Sequence, residues 1–214
     1  MKLYSHRKAP NPFRVNLFLA EKGIKVNTSY VDFMNGELKA EEFKTINPFQ
    51  RLPVLVMDGG TVIAESSAIC WYFEEMNPIK PLHGQTAKER ALIEMWNRRA
   101  DMGLLTHIAH IFRHTNPAMA LLEQPQIAEW GEANRAKAVE TLGYFDAQLE
   151  KSQFVAGDRF SVADITTYTA MNFGRVIRLH VPEELVNLRR WFVQMTKRPG
   201  VQAALQIMKE TSSA

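Results

Sequence analysis

Two short clusters carry residue types suited to holding a small polar ligand. In Leu52-Pro53-Val54 a proline directly precedes an apolar run. Proline cannot donate to a strand ladder, so it belongs at a strand's start or in a bend. If the Leu52–Pro53 bond is cis, the Leu52 backbone N–H and C=O turn outward toward a ligand; if it is trans, Pro53 simply opens the strand. Glu65-Ser66 lies between a strand pattern and a helix pattern. Ser66 reads as an N-cap, and free amides at a helix N-terminus attract a carboxylate. A side-chain acid beside those donors can hold an ammonium group. The pair therefore suits an α-amino acid, whose two charges are adjacent, although simple capping is the other reading. His107, His110 and His114 fall at i, i+3 and i+7 and share a helix face, but no acidic partner for a metal is evident, so no metal is expected. Cys70 lies beside the apolar face of its helix and reads as a buried small residue.

These residues are set within elements of two different rhythms. Lys2–Ser5 reads as a strand. Val15, Phe18 and Leu19 then repeat at helical spacing until Gly23 stops the helix. Val26–Phe33 reads as a second strand and Glu41–Ile46 as a brief helix ended by Asn47-Pro48. Val54–Met57 and Thr61–Ala64 flank Asp58-Gly59-Gly60, a strong hairpin signal. Ile69, Tyr72, Phe73 and Met76 mark one face of a helix. The order is β-α-β-α-β-β-α, with the first two strands parallel and the last two antiparallel. Asn77–Gln85, rich in proline and glycine, reads as a linker.

Beyond it the pattern is helical. Thr86-Ala87-Lys88-Glu89 is a capping box opening a long helix whose face carries Leu92, Met95, Trp96, Met102, Leu105 and Phe112. After a break at Asn116-Pro117, Ala138, Leu142, Phe145 and Leu149 mark a second long helix. Ser161-Val162-Ala163-Asp164 is another box, flanked by Phe160 and Ile165 as a hydrophobic staple. A last helix with Leu188, Trp191, Phe192 and Met195 ends at Pro199-Gly200. The expectation is an α/β domain over residues 1–80 and an all-helical domain over 86–214.

Composition narrows the class. The 214 residues are 46% hydrophobic and 23% charged, ordinary globular values that exclude a disordered or low-complexity chain. No apolar run is long enough to span a bilayer, and MKLYSHRKAP lacks the apolar stretch of a secretory signal, so a cytoplasmic protein with no membrane partner is expected. One cysteine supports neither an internal disulfide nor a cysteine zinc cluster. The net charge is only +3 and bases alternate with acids, as in Lys88-Glu89-Arg90, which argues against nucleic acid.

Taken in order, the motifs resemble a known family. Residues 47–73 (NPFQRLPVLVMDGGTVIAESSAICWYF) closely resemble the glutathione-binding half of the glutathione S-transferases: Asn-Pro, an aliphatic residue with cis-proline, a hairpin, then Glu-Ser before a helix. The strand and helix order resembles the family's thioredoxin-like domain. Ser161-x-x-Asp164 and Arg198-Pro199-Gly200-Val201 resemble its helical domain. The resemblance implies a transferase that activates the glutathione thiol, with glutathione as cosubstrate and no metal. It also implies a small hydrophobic electrophile, disulfide or peroxide as second substrate, and a homodimer in which Phe49 is a candidate anchor. Glutathione-dependent disulfide reduction or peroxidase activity, and a non-catalytic binding protein of the same fold, are the alternatives. By the same resemblance, Glu65 and Ser66 meet the γ-glutamyl end, and Leu52, beside Pro53, pairs through its backbone with the cysteinyl part. Gln50 and Arg51 lie near the glycyl carboxylate, and Asp101 reaches the partner subunit's γ-glutamyl amine. Met102, Thr106, His110 and Phe112 line the second-substrate cleft, and Arg98-Arg99 either face it or coat the surface.

For thiol activation the family places a Tyr, Ser, Cys or Asn between the first strand and first helix. Here that loop is Ser5-His6-Arg7-Lys8-Ala9-Pro10-Asn11-Pro12-Phe13-Arg14. It has no cysteine, against the omega-like and beta-like routes through an enzyme–glutathione disulfide. Asn11, three residues before Arg14, resembles the asparagine of bacterial nu-like and related fungal members, although their hydroxyl two residues earlier is replaced by Ala9. Asn11 can donate from its amide or cap the following helix. Ser5 is the alternative hydroxyl, and Tyr4 is expected to point into the core or the neighbouring surface.

Overall fold

The computed structural model of the chain describes residues 1–32 and 35–210. Its described residues form two compact units. One comprises Met1–Lys80 joined by the segment from Lys197 onward; the other is Pro81–Thr196.

The first unit is built on a four-stranded mixed sheet of order β2-β1-β3-β4. β1 (Lys2–Ser5) runs parallel to β2 (Thr28–Tyr30), with Ser5 opposite Tyr30. It runs antiparallel to β3 (Val54–Val56), which forms the hairpin with β4 (Val62–Ala64). The hairpin closes where the Met57 amide donates to Thr61 O at 2.9 Å, and Gly60 takes the positive φ (82°) that the turn requires. β2 is shorter than its apolar pattern predicts. Pairing reaches Val31, whose amide donates to Ser5 O, but the Asp32 amide is taken by Glu37 Oε2 at 2.9 Å. Phe33, the expected end of that strand, lies outside the described residues.

α1 (Pro10–Lys22) and α3 (Ser66–Met76) pack together, and Leu3, Phe18, Leu55 and Ile69 are fully buried. Gly23 ends α1 in the left-handed conformation, as its position predicts. α2 (Glu41–Ile46) sends Phe43 into a cluster with Val31, Leu38 and Val54, and the edge of Tyr4 lies against Phe43, 6.2 Å between ring centres. On α3 the buried face is Ile69, Cys70 and Phe73, whereas Met76, the last residue of the helix, is exposed.

The sequence pattern ends its last helix at Pro199, but there a further helix begins. Pro199 is tolerated in a first helical turn, where no amide is needed, and opens α9 (Pro199–Lys209). α9 lies on α1. Arg198 donates from Nε and Nη2 to the two carboxylate oxygens of Glu21 at 2.9 and 2.6 Å. Gly200 permits this approach, since a Cβ there would stand 2.6 Å from Glu21 Oε1. At the far end of α9, Glu210 lies 3.9 Å from Arg7 Nε.

The second unit is helical among its described residues. α4 (Ala87–Ala100) opens with the expected Thr86–Glu89 capping box and passes through a π-helical turn (Asp101–Leu105) into α5 (Thr106–Thr115). Its core face is Trp96, Asn97, Ala100, Leu104, Ile108 and Ile111. Of the face read from periodicity, Trp96 and Leu105 are buried as expected, whereas Leu92, Met95 and Met102 are exposed; buried Asn97, to which Thr166 donates at 2.6 Å, belongs to the core face in their place. α6 (Ala128–Lys151) buries Ala138, Leu142, Phe145 and Leu149 as expected. α7 (Val162–Gly174) carries the second capping box. Asp164 accepts from Ser161 N and Oγ, from Val155 N, and from Trp191 Nε1 of α8 (Val186–Thr196) at 2.9–3.2 Å. Burial pushes its carboxyl up to about 6 against the pull of those four donors. No helix of the described residues is long and apolar enough to cross a membrane.

Candidate active site

The Leu52–Pro53 bond is cis, and none of the turn and loop hydrogen bonds among the described residues uses the Leu52 N–H or C=O. The preceding loop is shaped by Asn47. It is 4% exposed, donates from Nδ2 to Arg51 O at 2.9 Å and accepts the Phe49 amide at 3.1 Å. That clamp leaves Arg51 exposed, Gln50 half-buried with a positive φ of 53°, and Phe49 81% exposed. The sequence marks Asn47 only as half of an Asn-Pro stop; its amide bridging four residues forward is visible only in the structure.

The Glu65-Ser66 cluster differs from its reading as a capped helix start. The N-cap position belongs to Glu65, with φ 70° and ψ 120°, and its carboxylate makes no cap hydrogen bond. A non-glycine residue held at positive φ costs on the order of 1–3 kcal/mol, and such strain concentrates at ligand sites. Ser66 is the first helical residue and is 4% exposed. Its hydroxyl accepts from Nη1 of the buried Arg14 at 3.1 Å rather than capping its own helix. The first intrahelical bond runs from Ile69 N to Glu65 O, so the Ser66, Ser67 and Ala68 amides have no acceptor within α3. An exposed carboxylate therefore stands beside three free helix-end donors, with a guanidinium beneath them.

The loop between β1 and α1 separates the two candidate donors. Ser5 is 0% exposed and its hydroxyl has no hydrogen-bond partner. Asn11 is exposed at the second position of α1, where Ala9 is the N-cap residue and Pro10 the first helical residue. Asn11 therefore does not cap the helix, and among the described residues its side-chain amide has no hydrogen-bond partner.

Comparison with known proteins decides the family. Residues 1–75 match the family model for the glutathione S-transferase N-terminal domain, and residues 106–199 the model for its C-terminal domain. The chain belongs to the glutathione S-transferase family. It is 38% identical over 215 residues to Glutathione S-transferase 2 of Saccharomyces cerevisiae, covering 99% of this chain and 92% of the yeast one. The crystal structure of Gtt2 from the same yeast superposes with a TM-score of 0.91 at 38% identity, over 95% of this chain and 100% of that one. A glutathione S-transferase domain-containing protein from Marinobacter aquaeolei VT8 superposes equally well, at 38% identity over 94% of this chain and all of its own. Protein URE2 of Candida albicans is 30% identical over 239 residues, 95% of this chain and 69% of the other.

In this glutathione S-transferase, the residues expected to serve the second substrate do not share one face. Met102, 58% exposed, and Thr106 lie one turn apart along the π-helical segment; the Thr106 hydroxyl donates to Asp101 O at 2.9 Å. His110, one turn on from Thr106 on the same side of α5, lies edge-on to Trp130 of α6 and stacks on His114, while Phe112 lies edge-on to Phe173 of α7. Two residues apart, they are about 200° around the helix. Burial and the neighbouring His114, His107 and Arg113 lower the His110 pKa. His107 Nδ1 pairs with Asn134 Oδ1 at 2.7 Å and His114 Nδ1 accepts the Ile127 amide at 3.1 Å, so both rings have structural work. No group of metal-binding side chains occurs among the described residues. Asp101 lies 3.5 Å from Arg98, which also donates to the Met102 sulfur, and Arg99 stacks on Trp96 at 4.6 Å. Cys70 is buried, with its thiol pushed up to about 12 by desolvation, which makes it inert at neutral pH.

Proposed function

We propose that the chain binds reduced glutathione in its first unit and ionises the thiol for attack on an electrophilic carbon, disulfide or peroxide. The observation that carries this is the exposed Glu65 carboxylate beside the free amides of α3, with buried Arg14 under Ser66. That array complements an ammonium and an adjacent carboxylate, the two charges of a γ-glutamyl group. Leu52 offers its unused N–H and C=O to the cysteinyl backbone as a neighbouring strand would. Gln50 and Arg51 stand next along the loop for the glycyl carboxylate, and Asp101 for the γ-glutamyl amine across a dimer. Exposed Asn11 supplies the donor to sulfur. Met102 and Thr106 of the helical unit are the second-substrate contacts we favour over His110 and Phe112. A cytoplasmic setting, where glutathione is kept reduced, and a role in detoxification fit this chemistry.

The test is calorimetry with reduced glutathione, followed by turnover with a chloronitrobenzene, a mixed disulfide and cumene hydroperoxide. Saturable binding is expected, weakened by Glu65→Ala and by Ser66→Ala by about 1.5–3 kcal/mol each, the value of a charged hydrogen bond. Absence of binding at millimolar glutathione would make the chain a non-catalytic member of the fold. A cysteine-free, asparagine-bearing loop favours disulfide or peroxide reduction as the second reading, and turnover with the last two substrates alone would select it.

A homodimer is part of the same proposal. Phe49 stands out 81% exposed on a loop fixed by Asn47. The helical unit carries a groove of about 500 Å³ floored by Trp96 and Phe145 and edged by Arg99 and Tyr144, chemistry suited to an aromatic side chain from a second copy.

A further inference from the structure

α1 starts without a capping side chain. Its N-cap residue is Ala9, and Pro10 follows. The amides just ahead of the helix are gathered by an imidazole instead: His6 Nδ1 accepts from Lys8 N and from Ala9 N, each at 3.1 Å. This closes the turn His6-Arg7-Lys8-Ala9, and the next two residues are Pro10 and Asn11. Arg7 is drawn out of the turn by stacking on Tyr30 at 3.7 Å, with Glu210 3.9 Å away. The main chain on either side is fixed, by the pairing of Ser5 with Tyr30 and by the bond from Phe13 N to Ala9 O.

We propose that His6 is a positioning residue for the thiol-activating loop: its Nδ1 sets where α1 begins, and hence where the Asn11 amide stands. This rests on the reading of Asn11 as the donor to the glutathione sulfur. An acceptor at Nδ1 requires that nitrogen unprotonated. A proton there removes both bonds and adds a third positive charge beside Arg7 and Lys8. The charged groups around the ring are Lys8 and Arg7 of its own loop, Asp32 following β2, and Glu210 following α9 through Arg7. Burial, Lys8 and Arg7 hold the His6 pKa below 6.5, and Asp32 opposes them. The sign follows: the folded loop resists the proton that an opened loop accepts, so the latch is intact above about pH 6.5 and is lost as pH falls through the lowered value.

Four variants and one ligand-free measurement test it. His6→Ala removes the acceptor; His6→Asn restores an acceptor to the amides two and three residues ahead without a titrating group. At neutral pH, His6→Ala should lower kcat on the order of tenfold while the KM for glutathione stays within about twofold, the split of a misplaced donor rather than a lost binding contact. His6→Asn should recover most of kcat and flatten the acid limb of the pH profile, and Asn11→Ala combined with His6→Ala should add little to Asn11→Ala alone. Hydrogen exchange at the Lys8 and Ala9 amides of the wild-type protein should accelerate as pH falls below 6.5 through the lowered His6 value, after correction for the intrinsic rate, together with the His6 ring titration. Exchange at those amides indifferent to the His6 titration overturns the latch whether or not glutathione binds. A His6→Ala enzyme with wild-type kcat, or a His6→Asn enzyme no better than His6→Ala, overturns the positioning role. Failure of glutathione to bind the wild-type protein is a separate result that overturns the transferase reading instead.

Discussion

Asn11 and Ser5 differ by the property that matters for meeting a ligand. The Asn11 amide is exposed and uncommitted, whereas the Ser5 hydroxyl is completely buried at the end of β1. Asn11→Ala should therefore raise the pKa of the bound glutathione thiol and depress turnover, with glutathione affinity much less affected. A single well-aimed donor to a charged atom is worth up to roughly 3–4 kcal/mol. Ser5→Ala should leave the titration unchanged, because its hydroxyl makes no hydrogen bond to lose. Thiolate absorbance against pH for both variants checks this; a large shift in Ser5→Ala with none in Asn11→Ala would reverse the roles. No shift in either would pass the role to backbone amides at the start of α1.

At the scale of elements, the capping box of α7 holds more than its own helix. Asp164 is fully buried and gathers donors from the turn before it, from the Phe154-Val155 segment and from Trp191 of α8. Asp164→Asn keeps the shape but turns an amide donor toward one half of that donor set. It should destabilise the protein by about 2–4 kcal/mol, read from the denaturation midpoint, with glutathione affinity unchanged in the fraction that remains folded. The local part of this arrangement was legible in the sequence, because Ser-x-x-Asp is a short-range pattern; the bonds from Val155 and Trp191 were not, since they span 9 and 27 residues. The same division runs through the site. Turn chemistry marked the hairpin at Asp58-Gly59-Gly60 and the proline of Leu52-Pro53. What escaped was tertiary: Arg14 rising from α1 to take the Ser66 hydroxyl, Asn47 clamping Arg51, and a buried Asn97 on the core face of α4 in place of Leu92 and Met95. α9 escaped for a different reason, because Pro-Gly reads as a stop although proline is equally a helix start.

At the scale of the whole molecule, Phe49 is exposed on a fixed loop of one unit, and the other unit carries a groove edged by the exposed Tyr144. Light scattering at micromolar concentration should give twice the 24.5 kDa chain mass. Phe49→Ala should weaken association by about 3 kcal/mol, within the range for a truncated aromatic hot spot. A wild-type species at the chain mass would remove the dimer, and with it the role of Asp101 across it.

The central claim is that this chain binds glutathione and holds its thiol as a thiolate. The measurement that tests it most directly is ultraviolet thiolate absorbance of glutathione bound to the wild-type protein, followed against pH under saturating conditions. A free cysteine thiol titrates near 8.5, and each unit of depression corresponds to about 1.36 kcal/mol of preference for the charged form. The expected result is a bound thiol titrating at least about one unit below the free value, since a donor and a helix N-terminus both favour the anion. A bound thiol that titrates at the free value would contradict the account.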